Sequence, residues 1–405
     1  MVKADLGRGT LRSPEPPGGA DVLIVGAGVI GCALARELVG RGAAVTVIER
    51  GEPGAEASGA AAGLLAPQAE GLPRGPFFDL ALESRCLYPA WTAELSEESR
   101  MEVGYRRAGI LRCALPGGVS DRDAFEWQRR DGLAVEEKDA GEIAAMTGGS
   151  VSGEIREGIF FPDEAVVDSR RLTRALRIAA ERRGASFAIR RTGLRMLVRG
   201  GRCAGVETDQ GPMGAAQVVN AAGAWASFDP AFPVPVEPVH GQIVEVESPA
   251  PALSAVVQSE DVYVVPRGGS WLLGSTAERI GFEKRVTAGA VARLLAAGAR
   301  LLPAIEGATF LRAWSGLRPG TPDGLPVLGR GPLPGLFLAT GHFRNGILLA
   351  PVTALAVADE LAGAGTRDLA PFSILRFTER PSPGSISGPA GQPARIGSVS
   401  ISRRD

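Results

Sequence analysis

Histidine is nearly missing from this chain: 405 residues contain two, His240 and His342. From so few, neither a Ser/His/Asp triad nor a metal cluster can be read, and no metal is expected. Cysteine is scarce too. Cys32, Cys86, Cys113 and Cys203 stand far apart with no C-x-x-C pair, which argues against a zinc site or a disulfide framework and fits a reduced, cytoplasmic setting. No apolar run is long enough to span a bilayer. Residues 1–20 carry early charges of both signs and a "SPEPPGG" stretch but no apolar core, so they read as a flexible tail and not a signal peptide. The Ser, Pro and Gly content of 377–405 reads as a disordered tail. A net charge of −1 supplies no overall attraction for nucleic acid or a membrane surface, and neither is expected as a partner. Lysine occurs only at Lys3, Lys138 and Lys284, so Arg carries the positive charge. From Arg170 to Arg202 it recurs densely with Glu181 the only acid, either as a docking face for an acidic partner or as an ordinary solvated face.

What the chain does have is 45% apolar residues, enough for a large core in two domains or one composite unit. "DVLIVGAGVIGCALARELVGRGAAVTVIER", from Asp21, reads as strand, G-x-G-x-x-G turn, helix and second strand. Gly26 permits the tight turn, Gly28 lets a pyrophosphate approach, and Gly31 lets helix pack on strand, with Ala27, Val29 and Ile30 completing the loop. Glu49 ends the second strand where an acid accepts hydrogen bonds from a ribose diol, which disfavours NADP, and Arg50 follows it. FAD and NAD share this fingerprint.

Three further segments favour FAD. "GAEASGAAAGLLAPQ", Gly54 to Gln68, is almost all small residues, where a bulky ligand can lie against backbone: Ser58 as a donor, with Ala61, Ala62, Gly63 and Leu64 alongside. A strand pair separated by Gly200 and Gly201 precedes "AAQVVNAAGAWA", which brings Ala222, Gly223 and Trp225 near the cofactor's middle. In "ATGHFRNGILLAP" a strand gives way to a helix expected to begin at Ile347 with Asn345 as its cap, while Gly346 lets backbone approach the ring and His342 makes a structural hydrogen bond.

On these segments, together with "PVHGQI", "VYVVPR" and "WSGLRPGTPDGLPVLG", the chain between Asp21 and Leu375 resembles the D-amino-acid oxidase superfamily of flavoproteins, and within it the glycine oxidases of bacterial thiazole (thiamine) biosynthesis. Where such proteins commonly have Lys or Arg before "GQ", this chain has His240. The resemblance implies an α/β fold, an α+β composite: a Rossmann-like FAD-binding domain (21–100, 163–234 and 317–376) interleaved with an antiparallel-sheet substrate domain (101–162 and 235–316). It also implies oxidation of glycine or another small amino acid to an imine, with oxygen reduced to peroxide and the imine available for thiazole synthesis. It puts Gly241 at the cofactor and Arg344 on the substrate side. A carboxylate is best held by a planar guanidinium fork, which selects Arg318, with the phenol of Tyr263 beside it. No Cys follows Cys203, so the FAD is expected to be non-covalent, unlike the Cys-tethered flavin of some sarcosine-oxidase relatives. A D-amino-acid or sarcosine-type dehydrogenase with another acceptor, and a non-catalytic FAD-bound interaction protein, stay open. So do a homo-oligomer and a thiazole-synthesis partner.

Overall fold

The structure, a computed structural model, describes residues 20–115, 122–248 and 253–377. Apart from Ala20 and Phe377, the two expected tails lie outside the described residues. Two eight-stranded sheets are each assembled from separated stretches of chain. In the first, the order is Val327–Arg330, Leu336–Thr340, Gly211–Asn220, Ala20–Val25, Val45–Glu49, Ser186–Ile189, with the pair Gly193–Arg199 and Arg202–Thr208 joined through Gly211–Asn220. Its central strands run parallel, and the apolar runs that form them are buried on both faces, as parallel sheets require. Helices Val29–Gly40, Ser169–Arg182 and Ala350–Leu361 cover one face.

The second sheet runs from Phe310–Gly320 through Glu237–Glu247, Ser270–Gly274, Tyr263–Arg267, Val256–Gln258, Ile110–Cys113 and Glu157–Phe161 to Glu136–Asp139. It is not wholly antiparallel as expected, because Val256–Gln258 lies parallel to Ile110–Cys113. A parallel neighbour needs a long crossover, and here the chain supplies one by passing through the first sheet between the two strands. The small-residue segment packs on the second sheet: Ala62 and Ala66 lie with Ile243, Val265 and Leu272.

Helix Ser169–Arg182 explains the Arg-rich run. Leu172, Ala175, Leu176, Ala179 and Ala180 are buried, and the arginines occupy the other face. Much of the run is tied to the chain itself: Arg170 to Gly59 O (2.7 Å), Arg177 to Glu181 (2.9 Å), Arg183 to Glu98, Arg190 to Glu52 (3.0 Å).

The helix after "HFRNG" starts later than the sequence suggests. It spans Ala350–Leu361, with Leu349 at its cap position and no side-chain capping bond, so Asn345 does not cap it. Pro351 favours the later start: it has no N–H to give Ile347 O, and its fixed φ suits the first turn. The carbonyls of Ile347 and Leu348 instead accept the hydroxyls of Tyr88 and Ser84, side chains of helix Pro76–Ser99.

Candidate active site

One cleft runs between the sheets, from the Gly26 turn to the guanidinium groups of Arg318 and Arg344. At the first end, Gly26 turns the chain with φ +104°, and a Cβ there would come within 2.6 Å of Ala221 O. A Cβ at Gly31 would overlap Gly26 O, so the helix can meet the turn only because Gly31 has no side chain. At Gly28, by contrast, a Cβ would meet only Ser58 Oγ, at 3.2 Å, leaving open space that a phosphate can take. Ser58 Oγ accepts Val29 N–H (2.9 Å), and its own hydrogen remains available to a ligand. Glu49 accepts N–H bonds from Ala27 and Gly51, both at 2.8 Å, which holds its carboxylate beside the turn with lone pairs to spare for hydroxyls. Arg50 lies over the ring of Trp225, 3.6 Å from its centroid. Bare backbone, a placed acid and a lane of small side chains fit FAD.

The other end belongs to the second sheet. Arg318 sits near the end of strand Phe310–Gly320 and directs its guanidinium across Gly241 of the neighbouring strand, with which the register pairs Gly316. Nη1 donates to Thr276 O (3.1 Å) and Nη2 to Ser275 Oγ (2.7 Å). Among the described residues Arg318 has no acidic partner within ion-pair distance, although burial works against its charge and lowers its pKa. Tyr263 stands beside it, and the ring fits because Gly274 opposite has no Cβ, which would lie 2.6 Å from Cε2. Burial raises the Tyr263 pKa, with Arg318 opposing, so the phenol keeps its proton and can donate it in a hydrogen bond. Ser275 hydrogen-bonds Arg318 and is near enough to Tyr263 to act on its pKa. A guanidinium with spare donors and a phenol, together in a cleft, have the chemistry to hold a carboxylate.

The turn that follows Leu336–Thr340 closes this end. Gly341 has φ +73°, and Phe343 N–H reaches Pro319 O (2.9 Å), which fastens the turn to the strand carrying Arg318. Arg344 enters the cleft there, and its Nη2 lies 3.8 Å from Glu70 Oε2. Of the residues expected at the site, Ala27, Gly31 and Asn345 do not line the cleft; the others do. Glu70 and Ser275 line it without having been anticipated. The only sign of Glu70 was a single acid closing a stretch uncharged from Ala57 to Ala69; Ser275 carried no sign.

Neither histidine is placed for acid–base work. His240 is fully buried, with Nδ1 2.9 Å from Glu278 Oε2, and it fastens the segment after Gly274 to strand Glu237–Glu247. His342 is buried against Thr353 (Nε2 to Oγ1, 3.1 Å), and burial lowers its pKa to about 3. Below pH 6.5 the unfolded chain takes up a proton that the folded site refuses, so this residue costs about 1.4 kcal/mol of stability per pH unit on falling from 6.5 towards 3. His342→Gln is expected to remove that part of the acid loss. Urea midpoints at pH 7.5 and 5 check it, and equal losses in wild type and variant would rule out a titrating His342.

Residues 21–360 match the family model described as FAD dependent oxidoreductase, DAO. The glycine oxidase of Geobacillus kaustophilus is 39% identical over 373 residues, spanning 88% of this chain and 97% of that protein. The crystal structure of glycine oxidase from Geobacillus kaustophilus aligns with a TM-score of 0.84 at 37% identity, covering 88% of this chain and 98% of that one. The bifunctional protein ThiO/ThiG of Trichormus variabilis is 37% identical over 352 residues, which are 84% of this chain and 52% of that protein. With its dinucleotide turn, its lane of small residues and its guanidinium-lined end in one cleft, the chain belongs to the DAO family of FAD-dependent oxidoreductases.

Proposed function

We propose that the protein oxidises the amine of glycine, or of another small amino acid, with FAD as acceptor. The observation that carries this reading is Arg318: a cleft-lining guanidinium with no acidic partner among the described residues and Tyr263 beside it. Bound FAD would supply the two-electron acceptor for the α-C–H, with oxygen as the final acceptor. Arg318 and Tyr263 hold the substrate carboxylate, with Arg344 on the same side, so that the amine and α-carbon face the lane of small residues. The hydride leaves directly from carbon, so no side chain need take a proton from it, in keeping with a neutral, buried His342. Overall, glycine, water and oxygen become glyoxylate, ammonia and hydrogen peroxide, unless the imine is used first. The ThiO/ThiG relatives support a thiazole-synthesis partner that takes the imine.

The cofactor half comprises 21–100, 163–234 and 317–376, and the substrate half 101–162 and 235–316, a division that the membership of the two sheets supports except at 317–320, the end of strand Phe310–Gly320 in the second sheet. The four cysteines are free thiols, in keeping with a cytoplasmic setting. Among the described residues no helix is long and apolar enough to cross a membrane.

Peroxide release from purified protein given glycine, sarcosine and small D-amino acids, with glyoxylate from the first two and the matching keto acid from the last, tests the reading. Amine-dependent bleaching of the flavin without peroxide would favour a dehydrogenase, and no bleaching with any amine would defeat the proposal. The flavin is expected to be non-covalent, since no cysteine follows Cys203. Acid precipitation should therefore leave the yellow colour in the supernatant; colour held in the pellet would contradict it.

A further inference from the structure

Glu70 brings a carboxylate to the end of the cleft where the substrate carboxylate is expected. Its Oε2 is buried, accepts no hydrogen bond among the described residues, and has Arg344 Nη2 3.8 Å away. A carboxylate oxygen removed from water needs a compensating charge, and Arg344 is the cation in reach. Both partners are held in place. The segment before Glu70 is anchored by Gln68, whose N–H donates to Glu164 Oε1 (2.8 Å) and whose Oε1 accepts from Arg85 Nη1 (2.6 Å). Arg344 follows the turn bonded to Pro319.

The charges at this end therefore divide unequally. Arg318 bonds only neutral acceptors and feels Glu70 only from beyond ion-pair distance, whereas Arg344 has Glu70 at 3.8 Å. This end of the cleft can satisfy one anionic group on Arg318, and the charge of Arg344 is met by Glu70.

Building on the amine-oxidation reading, we propose that Glu70 determines specificity: by neutralising Arg344 it restricts the pocket to amino monocarboxylates, and without its charge Arg344 becomes a second carboxylate site. The substrate class admitted would then be N-carboxymethyl amino acids, with one carboxylate on Arg318 and the other on Arg344.

Sarcosine and iminodiacetate test this, because they differ by one carboxylate. Butyrate and glutarate are their isosteres with carbon in place of nitrogen, and cannot be oxidised as amines. The holoenzyme's kcat/KM is measured for the first pair. Dissociation constants for the second pair are read from the visible spectrum of the bound flavin. Glu70→Gln is expected to raise the iminodiacetate-to-sarcosine ratio of kcat/KM at least tenfold, about 1.4 kcal/mol. The glutarate-to-butyrate affinity ratio should rise alike. Adding Arg344→Ala to Glu70→Gln should return both ratios to wild type. Unchanged ratios in flavin-loaded Glu70→Gln, or a rise that persists in the double variant, would overturn the proposal. If Glu70→Gln does not retain flavin, Arg344→Ala alone should lower both ratios at least tenfold, because it leaves Glu70 unopposed; no change there is equally fatal. Should wild type oxidise no amine while the glutarate-to-butyrate ratio still shifts as expected, the function reading fails and the assignment of Glu70 stands.

Discussion

Arg318→Ala is expected to lower kcat/KM for glycine by about two to four decades, while flavin content stays near that of wild type. Two of the guanidinium's donors are used by Thr276 O and Ser275 Oγ, which fix the fork, and the rest face the cleft. With the fork removed, the substrate carboxylate has no cation of its own in a partly desolvated site. Breaking a buried ion pair in this way costs about 3–5 kcal/mol, which is the stated range in rate. Arg318→Lys keeps the charge but not the two parallel donors, and should fall between. Steady-state kinetics at equal flavin loading checks the series. Turnover by Arg318→Ala within about threefold of wild type, a difference of about 0.7 kcal/mol, would mean that the carboxylate is anchored elsewhere.

Gly241→Ala, which alters no charged or polar side chain, is expected to cost about a hundredfold in kcat/KM. The added Cβ would overlap the Arg318 guanidinium, with Cζ at 2.5 Å, and a methyl on a central strand cannot yield. The arginine must therefore leave its seat on Thr276 and Ser275. A displacement of about 1 Å in a positioning group is enough for a loss of that size. Stability should change by no more than the ordinary cost of overpacking, about 1–3 kcal/mol, since a flexible side chain takes up the strain. Melting temperature and flavin content, measured beside kcat/KM, separate the two effects. A variant with intact flavin and wild-type turnover would show that Arg318 has a second productive position and that the gap above Gly241 is unnecessary.

The cofactor end was largely legible in the chain because its determinants are neighbours in sequence. Gly26, Gly28 and Gly31 lie within one turn and the first helical turn, and Glu49 closes the next strand. Backbone geometry there depends on local residue type, which one stretch of sequence displays. Ser58 was legible as a donor, but the bond it accepts from Val29 joins segments that only packing brings together. The late start of the last helix was also written locally, in Pro351, and it is the apolar run from Ile347 that obscured it.

The substrate end is different in kind. Residue chemistry and the family resemblance selected Arg318 and Tyr263, yet nothing near either in sequence says that Arg318 bonds Ser275, or that Gly241 and Gly274 leave the spaces the two side chains occupy. Those relations follow from the register of strands Glu237–Glu247, Tyr263–Arg267, Ser270–Gly274 and Phe310–Gly320, and a shift of one residue would turn each side chain to the opposite face. Glu70 is further removed still. Its charge acquires meaning only because Arg344, from a distant turn, lies 3.8 Å from a carboxylate oxygen that packing has buried. Local conformation and residue type thus determined that a dinucleotide cofactor is bound and which groups can hold a carboxylate. Strand register and burial decided which charges meet, because the strength of an electrostatic contact depends on distance and on the exclusion of water, and neither is a property of sequence position.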